Sequence, residues 1–89
     1  MANFMGGSAP AMAAQVVDGL ILLNANTLRT FLPADLNLLR FELEKLQRDA
    51  RAEAPAPADS QAQQVRNRKI QRLSAALQVI NHELSRKNR

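Results

Sequence analysis

Two heptad seams separated by a proline-broken connection constrain this chain more than any other feature. Leu32, Leu36, Leu39, Leu43, Leu46 and Ala50 recur at intervals of 4, 3, 4, 3 and 4, and Ile70, Leu73, Leu77, Ile80 and Leu84 at 3, 4, 3 and 4. Apolar residues at this spacing fall on one narrow stripe of an α-helix. Between the two runs stands Ala54-Pro55-Ala56-Pro57-Ala58-Asp59. Proline lacks an amide hydrogen and clashes with the preceding turn, so two prolines two apart end a helix. A short connection makes consecutive helices antiparallel neighbours. In such a hairpin, facing residues have sequence numbers of constant sum. Leu46 with Ile70, Leu43 with Leu73, Leu39 with Leu77, Leu36 with Ile80 and Leu32 with Leu84 all sum to 116, whose half lies inside the proline connection. The seams therefore agree in register, length and turn position.

The expected architecture is all-α: an antiparallel, coiled-coil-like hairpin over residues 33–89 with its Pro-rich turn at 55–59. An apolar helix and connector over 9–32 precede it, making three helices, and residues 1–8 read as a flexible lead-in. Ser8 is the expected N-cap of the first helix, with Pro10 in its first turn. Met12, Ala13, Val16, Val17, Leu20 and Leu23 keep helical spacing, and Ile21 and Leu22 spread apolar surface around the helix end. Gly19 within that run either weakens the helix or marks a close crossing. Asn24-Ala25-Asn26-Thr27 reads as a break, with continuation of the helix to Phe31 as the alternative. Pro33 suits the first position of the second helix, with Asp35 in its positive first turn. That helix is expected to end near Ala54. Ser60 and Gln63 form an S-x-x-Q capping box for the third, which frays among Arg86, Lys87 and Arg89. Flanking charges agree less well: Asp49 and Lys69 would attract, Asp35 and Glu83 repel, each weakly at an exposed rim.

A chain of 89 residues has little core with which to offset the entropy of folding. It has no cysteine, so neither a disulfide nor a thiolate metal site can staple it. Ten seam residues are few for this purpose, and more apolar surface must be buried. Leu38 and Phe41 lie off the first seam, Ala75, Ala76 and Val79 off the second. Two compatible destinations are open at this stage: the first helix closes a bundle on its own hairpin, these faces meet another chain, or both. Val16, Leu20, Leu22, Leu23, Leu38, Phe41 and Val79 are the candidate partner-binding residues.

The residues offer no catalytic constellation and imply no cofactor or metal. His82, the single histidine, falls on the outer face beside Asn81 and Glu83, without a nucleophile or third orienting group. Glu42, Glu44 and Asp49 interleave with Arg40, Lys45 and Arg48 as on an ordinary solvated helix face. Gly6-Gly7 and Gly19 match no phosphate-binding loop.

The net charge of +4 is uneven: residues 1–54 hold five Lys/Arg against six Asp/Glu, and residues 55–89 hold seven against two. Arg66, Arg68, Lys69 and Arg72 cluster ahead of the second seam, in the order of a basic region and zipper. A DNA-reading basic region needs a longer continuous helix, and no aromatic platform for single strands accompanies the cluster. The seam of residues 70–84 holds no Trp or Phe anchor for a lipid surface, and the chain has neither a spanning segment nor a secretory or myristoylation signal. The expectation is a soluble, intracellular, non-catalytic assembly subunit. It would dock with partner helices or self-associate as a helical bundle. Nucleic-acid binding through residues 66–72 is the alternative.

Overall fold

The computed structural model describes Phe4 and residues 7–87. Most of the expected lead-in, and Arg89 at the expected fraying end, lie outside them. The helices are α1 (Ala9–Val17), α2 (Pro33–Ala52) and α3 (Ser60–Lys87), and no strand occurs among the described residues. At 1.5 Å per residue the 28-residue α3 spans about 42 Å. It therefore sets the 47 Å long dimension of the molecule.

α2 and α3 pair as the antiparallel hairpin the seams predict. Leu36, Leu39, Leu43, Leu73, Ile80 and Leu84 are buried between them, and Leu46 and Leu77 are half-buried against the same core. The pairing is visible along one rim, where Gln47 donates to Ser74 at 2.8 Å and Arg40 donates to Asn81 at 3.4 Å. Both pairs lie at the position following a seam residue, and both have the same sum of residue numbers, so the register holds across two heptads. Neither predicted rim charge contact forms. Lys69 pairs with Glu53 at 3.5 Å, and Glu83 pairs with Arg86 at 2.7 Å. Asp35 turns to its own helix end, accepting from the Leu32 amide at 3.1 Å.

The N-terminal helix lies on its own hairpin, with α1 touching both α2 and α3. Met12, Ala13 and Val16 enter the core there. This third helix supplies the apolar burial that a two-helix seam lacks.

Three local expectations need correction. α1 does not run to Leu23 but stops at Val17, because Gly19 terminates it. Gly19 takes φ +76°, its amide donates to the Val16 carbonyl at 3.1 Å, and the Leu20 amide donates to Gln15 at 2.9 Å. Those two bonds make a Schellman motif, which needs a left-handed residue where glycine has no Cβ to clash. Past it residues 21–24 have no regular secondary structure, and burial alternates along them. Ile21 and Leu23 turn in, whereas Leu20 and Leu22 turn out.

Leu32, assigned to the seam, is instead the N-cap of α2 and is 54% exposed. The proline after it excludes α backbone at Leu32, so its side chain leaves the helical stripe. Leu28 and Phe31 are buried in its stead, in the same cluster as Leu84. The Asn24–Thr27 break delivers them. The Asn24 amide donates to the Thr27 hydroxyl at 2.9 Å and the Thr27 amide to the Asn24 side chain at 3.0 Å, locking a turn that no helix crosses. Phe31 meets Phe4 edge to face, ring centroids 5.3 Å apart.

α2 ends at Ala52, close to the expected Ala54. The N-cap of α3 is Asp59 rather than Ser60, since the Asp59 carboxylate accepts from the Ala62 amide at 3.0 Å. Gln63 reaches back not to a capping residue but to the Ala56 and Pro57 carbonyls, 3.3 Å from each.

Candidate docking surfaces

A helix leaves its last carbonyls unpaired at a negative end, where cations are favoured. Two cations of α3 take up such carbonyls elsewhere in the fold, and a third takes up those of a turn. Arg66 donates to the Glu53 and Arg51 carbonyls at 3.0 Å each, closing the end of α2. Arg72 donates from Nη1 to the Val17 carbonyl at 3.0 Å, closing the end of α1. Its guanidinium lies over Gly19, so close that a Cβ there would stand 3.0 Å from Cζ. Lys87 donates to the Leu28 and Arg29 carbonyls at 3.0 Å and also to Phe31, gathering the turn before α2.

The basic cluster proposed for a nucleic acid is therefore divided in its loyalties. Arg66 and Arg72 hold helix ends and Lys69 pairs with Glu53, whereas Arg68 is exposed and makes no hydrogen bond or ion pair among the described residues. No single electropositive row of four free side chains results.

The candidate partner-binding residues separate into two groups. Val16 and Leu23 are core, and Val79 is half-buried against it. Leu20, Leu22, Leu38 and Phe41 remain outside. Leu38 and Phe41, 56% and 59% exposed, belong to a stripe of α2 turned away from the seam. That stripe is Ala34, Leu38, Phe41, Lys45, Arg48 and Ala52, every member exposed and spaced again at 4, 3, 4, 3 and 4. Its first half is apolar and its second half cationic.

Leu22, 78% exposed, stands at the lip of a second surface, a groove of about 450 Å³. Ile21, Leu22 and Leu23 form one wall, and Ala75, Ala76 and Val79 of α3 the other. The groove exists because α1 stops early: a helix continued to Leu23 would place these residues differently. Sequence reasoning missed it for that reason. The signal was available in Gly19, whose place after a run of helical spacing is that of a C-terminal cap.

His82 is exposed, as its outer-face position predicts. Its neighbour Glu83 is the surprise, a carboxylate 1% exposed. The Arg86 guanidinium, donating at 2.7 Å, holds the Glu83 carboxyl below the usual carboxylate range. Burial works the other way, and the charges of Arg86, Lys87 and His82 add to the lowering. Among the described residues no group of three or more His, Cys, Asp or Glu gathers as a metal site. None of the described helices is long and apolar enough to cross a membrane. Comparisons with known protein families, with curated proteins and with solved structures returned no match.

Proposed function

We propose that the chain is a non-catalytic helical assembly subunit that works by docking other helices, from a partner protein or a second copy, on its outer faces. One observation carries the reading. The core already closes with α1, α2 and α3 in one chain, yet Leu38 and Phe41 stand more than half exposed on an α2 stripe that takes no part in that core. Isolated apolar residues on a surface are ordinary, but a heptad-spaced pair with further apolar surface at Leu20 and Leu22 is the pattern by which an amphipathic helix is received. Aromatic anchors such as Phe41 carry a large share of binding energy when a partner covers them.

The test has two arms. Sedimentation equilibrium of the purified chain, with circular dichroism on the same sample, reads self-association, and the Leu38→Ala/Phe41→Ala variant should return any oligomer to a folded 9.8 kDa monomer. Photocrosslinking from p-benzoylphenylalanine placed at Phe41, with Gln64 as an exposed polar control, reads a foreign partner in cells. Discrete adducts at 41 and none at 64 support the proposal. A monomer that cross-links no more at 41 than at 64 refutes it.

A further inference from the structure

The electrostatics of the groove beside α1 narrow what fits it. Between Asp59 and Glu83, α3 carries no carboxylate at all, while Arg66, Arg68, Lys69 and Arg72 fall in that stretch. Adjoining the groove is a shelf lined by Val17, Asp18, Val65, Arg68, Lys69 and Arg72. Three cations there face one carboxylate. Arg68 is uncommitted among the described residues, and Arg72 spends one nitrogen on Val17 while its guanidinium carries five N–H donors. Apolar walls thus continue directly into a basic shelf along one helix.

We infer that this groove receives an acidic amphipathic helix of another protein, its apolar side chains between Ile21–Leu23 and Ala75–Val79, its carboxylates on Arg68 and Arg72. The inference rests on the assembly reading and names the partner class for a second face. The groove's span along α3, from Gln71 to Val79, is about 12 Å, or roughly two helical turns. It accommodates anchors at i, i+3 or i+4, and i+7. The shelf lies one to two turns toward the α3 N-terminus, which sets where the partner's acidic residues must fall. The α3 wall offers side chains alone, its backbone being bonded within the helix, so a docking segment that satisfies its own backbone suits it. Charge complementarity also argues against a second copy as occupant. The outer stripe of α2 brings Lys45 and Arg48, and α2 as a whole holds four cations and four anions. Such a surface gains nothing from a basic shelf.

The probe is a fluorescein-labelled synthetic helix of about 16 residues, long enough to be helical, with leucines at i, i+3, i+4 and i+7 and glutamates flanking them. A twin carries lysine for every glutamate. Fluorescence anisotropy against the full chain should show the acidic probe binding and the lysine twin failing to bind. Binding should weaken as salt rises from about 50 to about 300 mM. Ala75→Arg fills the groove but keeps the basic charge, and Arg68→Glu reverses a charge that holds nothing else. Each should weaken the acidic probe by about tenfold or more, with unchanged circular dichroism. Gln61→Ala, exposed in the first turn of α3 and outside groove and shelf alike, should leave it unchanged. Equal binding of the two peptides, or indifference to Ala75→Arg, overturns the inference. So does a free chain that sediments as a dimer dissociated by Ala75→Arg, which makes the occupant a second copy. Duplex DNA that displaces the probe and binds more tightly than it does would assign the shelf to nucleic acid. Should these arms fail while cross-linking at Phe41 persists, the groove assignment falls and the assembly reading stands.

Discussion

Replacing Gly19 with alanine tests the junction on which both the early end of α1 and the groove depend. The perturbation has two separable parts. At φ +76° an L-residue crowds its own carbonyl, which costs about 1–2 kcal/mol. The added Cβ would also stand 3.0 Å from Arg72 Cζ and 3.1 Å from Nη2, so the guanidinium must withdraw. Withdrawal breaks its hydrogen bond to the Val17 carbonyl, worth about 1 kcal/mol at an exposed site. Gly19→Ala should therefore destabilise the chain by about 2–3 kcal/mol, which for a domain of this size lowers the melting temperature by roughly 8–24 °C. A double-mutant cycle in urea with Arg72→Ala isolates the second part. Arg72→Ala alone should cost about 1 kcal/mol, and in its background Gly19→Ala should cost only the conformational 1–2 kcal/mol, leaving a coupling near 1 kcal/mol. Gly7→Ala is the control, since Gly7 also has positive φ but a Cβ there meets nothing within 4 Å. Strict additivity of Gly19→Ala and Arg72→Ala would refute the packing of Arg72 on Gly19. A cost of Gly19→Ala below about 0.5 kcal/mol would refute the Schellman termination itself.

Other perturbations separate the core from the surface and the fixed charges from the free ones. Leu43→Ala, at a fully buried seam position, should cost about 2–5 kcal/mol by urea denaturation, whereas Leu38→Ala on the same helix should stay within about 0.5 kcal/mol. Lys87→Met should cost about 1–3 kcal/mol and speed hydrogen exchange around residues 28–31, whose carbonyls it holds, while Arg68→Met should be neutral; equal effects would undo that distinction. Glu83 has a lowered folded pKa, so its contribution is fully present above the unfolded carboxylate value of about 4.3 and is lost as pH falls through the folded one. The urea-midpoint difference between the natural chain and Glu83→Gln should accordingly shrink on acidification below that value, and a difference constant with pH would contradict the ion pair.

The hairpin was legible because its information is redundant. Five facing pairs share one register, and the prolines mark the turn independently, so the misplacement of Leu32 changed nothing else. The region between α1 and α2 carried no such redundancy. Leu20–Leu23 reads as a helix end or as extended chain from hydropathy alone, and the choice turns on the backbone of a single glycine. Leu28 and Phe31 lie outside any periodic pattern, since a turn locked by Asn24 and Thr27 delivers them to the core. Of the surfaces, Leu38 and Phe41 were visible as residues left over from the seam. The groove was not, because it requires knowing where the chain goes after Val17. Glu83 escaped notice for a related reason: the 24–31 segment lies beside it on α3, which heptad spacing does not encode.

The positive charge of the C-terminal half has a structural explanation that composition alone cannot supply. α3 runs the length of the molecule, so its side chains are within reach of the ends of both other helices and of the turn between them. Each of those ends exposes carbonyls of unsatisfied negative polarity. Arg66, Arg72 and Lys87 meet them at three successive stations along α3, and in each case a cation both satisfies the carbonyls and favours the helix-end dipole or the turn. A carboxylate at any of these stations would place negative charge against carbonyl oxygen. The absence of acids between Asp59 and Glu83 is thus what an intramolecular clamp requires along most of its length. Arg68 stands apart, since it makes no hydrogen bond or ion pair among the described residues, yet it lines the shelf beside the groove. Among the described residues of the C-terminal half, its charge is one that folding does not use, and it therefore bears directly on binding.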